Sequence, residues 1–380
     1  MPPRDFGIQY AVAAFVAFLF AASGPVAIIL SVGARGGLSE ADIASWIFAA
    51  FVLNSVISAA FSLVYRQPLV FLWSIPGAVL VGPALGHLSF AEVIGAFIAT
   101  GVLMLLLGLS GWMRRAMDAV PMPIVMAMVA GVFLRFGVEL VAAFRDALWI
   151  ALPMTTAFFV FRKIPPLIAA LVAGAIAVWF LGAFNPPSGA LFGLAAPSLY
   201  QPRFSWAAMV ELVVPLAITV LAVQNAQGIA ILTSNGHKPP VDAITVACGV
   251  GSIVTAFFGA VSTCLTGPVN AVLSGTGEKR HQYAGALFFC FLGVAFGLLA
   301  PFFTRLLLAT PPAFIATLAG LAMLRVLQTA FTASFGGRFS FGALVCFLVT
   351  VADVPILQIG APFWGLVLGL GASWLLERRV

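Results

Sequence analysis

The chain has 380 residues, of which 62% are hydrophobic and 8% charged, with a mean hydropathy of +1.14. A soluble domain carries roughly a quarter charged residues, so this composition cannot furnish a water-exposed surface and points to a polytopic membrane protein. The net charge of +6 lies singly or in pairs at the ends of apolar runs, with no basic stripe interleaved with aromatics, which argues against a nucleic-acid partner.

Apolar segments bounded by Gly, Pro and charge run over 8–32, 43–65, 68–86, 89–112, 121–141, 147–161, 165–183, 206–234, 240–259, 260–276, 283–308, 311–332, 340–353 and 355–376, fourteen in all. A bilayer core of about 30 Å takes roughly 20 helical residues per crossing, so little is left over for a soluble domain. The first run follows Arg4 and exceeds the roughly 7–15 residues of a signal-peptide core, so it reads as the first span. Cys248, Cys264, Cys290 and Cys346 all fall within apolar stretches and read as buried small hydrophobes without disulfide or metal-ligand spacing.

With a cytoplasmic N-terminus, the 18 Lys and Arg sort unequally: Arg35, Arg145, Arg203 and Arg305 fall outside, Arg135 and Arg325 within spans, and the other twelve inside. That excess follows the positive-inside rule and puts both termini in the cytoplasm.

The chain also repeats itself. Ser55–Phe61 returns as Ser252–Phe258, Val26–Ile29 as Ile229–Leu232, Pro76-Gly-Ala-Val-Leu as Pro268-Val-Asn-Ala-Val-Leu, Leu134-Arg135 as Leu324-Arg325, and the run ending at Trp179 as the one ending at Trp374. All five offsets lie between 190 and 203, which divides the chain into repeats over 1–190 and 191–380. Seven spans per half is an odd number, so the second repeat enters the membrane from the opposite side, an arrangement common among secondary transporters.

The third segment of each half is unusual. P-L-V-F-L-W-S-I-P-G-A-V-L-V-G-P-A-L-G and A-V-S-T-C-L-T-G-P-V-N-A-V-L-S-G-T-G each join a β-favouring or polar stretch to a Pro and a small-residue helix too short to cross alone. Both read as a strand leading into a half-helix, whose N-termini, near Gly77 and Val269, would bring free N–H groups and the positive dipole end to one place. Phe71 and Trp73 alternate to one face of the first strand, where they could meet an aromatic ring, pack in the core or face lipid. In the eighth segment Gln224, Asn225 and Gln227 interrupt an apolar helix. Gln224 and Gln227 share a face and Asn225 lies about 100° away, so a polar wall and interhelical glue are both open readings.

Arg135 and Glu139, four residues apart within a span, could neutralise each other or carry a proton, whereas Arg325 has no acid at that spacing. Glu92, Glu211 and Asp353 lie near span ends and read as interfacial. His87, His237 and His281 sit at loop edges without metal-ligand spacing, so no metal is expected. Hydrolase, Walker and dinucleotide motifs are absent from the sequence, which argues against an enzyme, implies no cofactor and favours gradient-driven transport.

The Gln224–Leu232 run Q-N-A-Q-G-I-A-I-L, followed by Pro239-Pro240 and by Thr276-Gly277, resembles the bacterial benzoate/proton symporters of the BenE type, relatives of the uracil and sulfate permeases, along essentially the whole chain. The resemblance implies an all-α polytopic fold of fourteen segments in two inverted repeats, with strands and half-helices in segments 3 and 10. It implies a core domain over 1–118 plus 205–310, a gate over 119–204 plus 311–380, and an elevator movement of one against the other in a bacterial inner membrane. Substrate, an aromatic carboxylate, would bind between segments 3 and 10 facing segment 8. Candidate contacts are Phe71, Trp73, Ser74, Gly77, Gln224, Asn225, Gln227, Thr263, Thr266, Gly267 and Asn270, with Glu139 for the proton and a homodimer through the gate. The nucleobase carriers place a Glu about where Gln224 stands, and an amide there tolerates an anion that a carboxylate would repel. An inorganic anion or a nucleobase as substrate, or a membrane enzyme or passive channel, are the alternative readings.

Overall fold

The computed structural model describes residues 7–111, 121–161, 165–186, 192–354, 356 and 360–377. Arg4, Arg114, Arg115, Arg162, Lys163, Arg378 and Arg379, which carry much of the charge asymmetry, lie outside them. The described chain is mostly helical. Seven helices are long and apolar enough to cross a membrane: α1 (Ile8–Arg35), α2 (Glu40–Tyr65), α4 (Phe90–Ser110), α5 (Met122–Asp146), α8 (Trp206–Ser234), α11 (Lys279–Leu298) and α12 (Pro312–Phe335). Shorter apolar helices are α3 (Ile75–Ala84), α6 (Leu148–Val160), α7 (Pro166–Phe180), α9 (Val241–Ala256), α13 (Ser340–Ala352) and α14 (Ala361–Leu376). With α10 (Gly267–Ser274) they make up the helical frame.

Local chemistry explains the ends and the breaks. Ser39 and Asp42 close a capping box at the start of α2, and Ser89 and Glu92 do the same for α4. α1 is broken within its span at Ser23, into Ile8–Ala22 and Gly24–Arg35, where Pro25 lacks the N–H that continuity requires. The segment expected over 283–308 likewise breaks at Leu299 ahead of Pro301, leaving a separate helix Ala300–Leu308. The helix of the last segment runs Ala361–Leu376, with Pro362 in its first turn; residue 355, the expected start of that segment, lies outside the described residues.

Helices pair through small residues that let backbones approach. On α9, a Cβ at Gly249 would lie 2.6 Å from the Leu105 backbone nitrogen of α4, so this crossing requires glycine. α4 packs on α9, α1 on α11, α5 on α12 and α13 on α14.

Between these helices run two short strands, β1 (Phe71–Trp73) and β2 (Thr263–Leu265), paired antiparallel with Phe71 opposite Leu265 and Trp73 opposite Thr263. The pairing extends at both ends, from Ser74 N–H to Ser262 C=O (2.9 Å) and from Thr266 N–H to Val70 C=O (3.1 Å). Each strand leads directly into a short helix, β1 into α3 and β2 into α10, whose starts are 192 residues apart. Helix and strand are coupled by Asn270 on α10, whose Oδ1 accepts from Val70 N–H (2.9 Å) while Nδ2 donates to Val70 C=O (3.0 Å) and Thr266 C=O (2.7 Å). The far end of α10 is fixed by Gln282 Nε2, which donates to Ser274 C=O (2.7 Å).

Replacing Asn270 by Ala would leave the fully buried Val70 N–H without a partner and remove one of the two donors to its C=O, which Thr266 N–H still reaches. The expected cost is about 2 kcal/mol or more, read as a lower unfolding midpoint in mixed micelles. An N270A midpoint equal to wild type would mean that these bonds do not fix the strand.

Candidate functional site

The antiparallel strand pair aims α3 and α10 so that their N-termini face one cavity of about 1140 Å³. Ile75 and Pro76 at the tip of α3, Pro268 at the tip of α10, and Gln224 and Gln227 on α8 all line it. Ser74 caps α3 by accepting from Gly77 N–H (3.1 Å), and its hydroxyl reaches Thr219 Oγ1 at 3.3 Å. Proline in the first turn of each short helix removes an N–H that has no helical partner and holds the turn in shape.

Gln224 and Asn225 end a π-helical segment of α8, Thr219–Asn225, and Gln227 follows it in regular α-helix. Such widened turns re-aim side chains and are common at functional sites. Here the three amides separate. Gln224 and Gln227 face the cavity, whereas Asn225 is fully buried and accepts from Leu265 N–H of β2 at 2.8 Å. Gln227 lies over the tip of α10, where a Cβ on Gly267 would come within 2.6 Å of its Oε1.

The remaining sequence-derived residues support the site from behind. Thr263 donates to Asn54 Oδ1 (2.8 Å), and Thr266 precedes α10 without a side-chain cap bond. Phe71 and Trp73 are buried and do not line the cavity; Phe71 packs on Phe61 and Trp73 on Phe51, each with ring centroids 5.2 Å apart. The aromatic walls come instead from Phe20 on α1, Phe133 on α5 and Phe158 and Phe159 on α6. Sequence reasoning missed these because one phenylalanine among 35 in an apolar chain carries no local mark.

Glu139 does not line the cavity either. Its carboxylate pairs with Arg35 of α1 and with Arg135 (3.2 Å), and Arg135 in turn lies 3.8 Å from Asp353. Glu211, expected at an interface, is buried at 4% exposure and sits 2.8 Å from His87. The widened turn Met209–Val213 carries it inward, against the Gly360 backbone at the start of α14. Asp353, also expected at an interface, is half-exposed.

The cavity therefore presents two helix N-termini, a pair of amides and aromatic walls, and no acidic side chain among its described lining residues. Phe161, Pro165, Thr329 and Ala333 also line it, at the end of α6, just before α7 and in the C-terminal half of α12.

A family model described as benzoate membrane transport protein matches residues 5–375. The chain belongs to that family. It is 28% identical over 387 residues to the benzoate membrane transport protein of Acinetobacter baylyi, covering 99% of this chain and 97% of the relative. It is 30% identical over 364 residues to the inner membrane protein YdcO of Escherichia coli, covering 94% and 93%. The fold is shared with solved anion transporters at low identity. The transmembrane domain of the cyanobacterial bicarbonate transporter BicA superposes with a TM-score of 0.64 at 15% identity, covering 96% of this chain and 99% of that one. SLC26A9 superposes with a TM-score of 0.67 at 13% identity, covering 98% of this chain and 66% of that one. The chain is thus a multi-pass membrane transport protein and not an enzyme.

A methyl group on Gly267 would displace the Gln227 amide, the flexible partner, and leave the fold standing. G267A is expected to keep its elution profile yet weaken ligand binding by about tenfold, the worth of one lost polar contact. Shortening Gln227 to Ala in the same protein should not weaken binding further. A G267A protein that binds like wild type would show that the amide does not act at this tip.

Proposed function

We propose that the chain is a proton-coupled importer of an aromatic carboxylate, benzoate or a close analogue, in a bacterial inner membrane. The observation that carries this reading is the cavity itself, where electropositive helix tips and amides meet an aromatic-walled volume. A benzoate-like ligand has the matching halves, an anionic head for the tips and a ring for the walls. The relatives' names and the likeness to bicarbonate and SLC26 transporters support an anion over a nucleobase.

The reading includes fourteen segments in two inverted repeats, 1–190 and 191–380. The antiparallel strands, each feeding a short helix at matching positions, support it. The core would comprise 1–118 plus 205–310 and the gate 119–204 plus 311–380, with packing of α4 on α9 and of α5 on α12 holding each body together. An elevator movement of core against gate would carry the substrate, and the gate would form a homodimer. With the N-terminus cytoplasmic, the end of the cavity lined by Phe161, Pro165, Thr329 and Ala333 lies toward the cytoplasm. The Arg35–Glu139–Arg135–Asp353 cluster then closes the opposite face by joining α1 of the core to α5 and α13 of the gate. Such an arrangement is inward-open.

Uptake of labelled benzoate, sulfate and uracil into proteoliposomes tests the substrate, with protein-free liposomes giving the background of uncharged benzoic acid entry. Saturable benzoate uptake above that background, stimulated by an acidic exterior, is the expected result. Uptake indifferent to the gradient removes proton coupling, and preference for sulfate or uracil removes the carboxylate.

Glu139 is the proposed proton carrier, because its exchange between proton and arginine would couple the clasp to acid outside. E139Q should then lose gradient-driven uptake while still exchanging labelled for unlabelled benzoate. Full coupling in E139Q would leave the cluster a clasp alone.

A further inference from the structure

We propose that Arg325 on α12 is the counter-charge for the substrate carboxylate on the gate side of the cavity, an inference that rests on the anion-carrier reading above. The cavity lining contains a single charged side chain among the described residues, Arg325, and it is exposed to that space. Gln328 and Thr329 follow at helical spacing, are also exposed, and line the same cavity. A polar face three and four residues deep has no use against lipid, so α12 turns a wetted track toward the open space.

The charge is uncompensated by design of the two halves. Arg135, which occupies the matching place in the first repeat, is held by Glu139 four residues on and by Asp353. Where Arg135 has Glu139, Arg325 has Thr329, whose hydroxyl donates to the Arg325 carbonyl at 3.0 Å and leaves the guanidinium alone. No described carboxylate forms an ion pair with Arg325. The closed face therefore carries the neutralised arginine and the open face the free one. A guanidinium matches a carboxylate with two parallel N–H donors, while the helix tips across the cavity supply only partial charges. A carboxylate on its way between tips and cytoplasm would pass this cation.

The test is equilibrium binding of labelled benzoate to purified wild type, R325Q, R325K and T329E, with benzyl alcohol as an uncharged competitor. R325Q should weaken benzoate by about tenfold or more and flatten its salt dependence, while leaving competition by benzyl alcohol unchanged. R325K should keep the salt dependence, because the charge remains, but lose part of the affinity, because an ammonium cannot offer two parallel donors. T329E, which supplies the missing acid, should reproduce the R325Q loss with the arginine still present, and it decides the matter if R325Q does not fold. Wild-type affinity and salt dependence in R325Q, or equal losses for benzoate and benzyl alcohol, would overturn the proposal. If wild type binds no benzoate, the substrate reading fails on its own, and the same four proteins are compared with bicarbonate and sulfate. Wild type binding none of these anions overturns both.

Discussion

The structure depends on a backbone problem. Two extended stretches, Leu69–Trp73 and Thr263–Leu265, are fully packed inside an apolar frame, where each unpaired N–H or C=O would cost several kcal/mol, of order 1–3 in proteins and more in hydrocarbon. Pairing the strands with each other satisfies one edge of each. The other edges are met by side chains from the surrounding helices. Ser58 of α2 accepts from Phe71 N–H (2.8 Å), Ser252 of α9 from Thr263 N–H (2.9 Å) and Asn225 of α8 from Leu265 N–H (2.8 Å). These buried polar residues look out of place in a membrane chain until this accounting is made.

Once paired, the strands leave the two short helices no freedom. An antiparallel crossing sends its continuations in opposite directions, so α3 and α10 begin at opposite ends of the pair and both tips remain inside the protein. Asn270 locks the second helix to the first strand, and the widened turn of α8 lays Gln227 over the second tip. The cavity is thus a by-product of how the strand backbone is satisfied. A helix crossing whole at either place would have supplied neither a free N-terminus nor a hollow.

Much of this was legible because the constraint leaves marks in the sequence. Pro76 and Pro268 after β-favouring runs identify the half-helices. The amides of α8 were legible as a group, and helical phase divides Gln224 and Gln227 from Asn225. What could not be read was the depth of each side chain. Phe71 and Trp73 carry rings suited to a ligand, yet a strand buried on both faces gives alternation no inner or outer side, and both rings pack on α2. Glu211 looked interfacial because no local signal announces the widened turn that carries it inward. The aromatic walls come from α1, α5 and α6, far apart in sequence, and nothing but tertiary packing brings them together.

The electrostatics of the site follow from the same economy. A full positive charge placed at the centre of the chain would hold an anion but also resist letting it go, and it would cost several kcal/mol when the anion is absent. Helix N-termini offer about half a charge each, already part of the backbone and already oriented, so an anion is attracted without an ion left bare after release. Amides in place of acids on α8 keep that field from being cancelled, since a carboxylate at Gln224 would pair with the tips itself. Complete charges then belong at the margins of the path. The Arg35–Glu139–Arg135–Asp353 cluster holds its arginines against acids, whereas Arg325 in the cavity has no described carboxylate partner. On the inward-open reading proposed above, closing a face would mean giving its cation a protein partner, and opening it would mean taking that partner away.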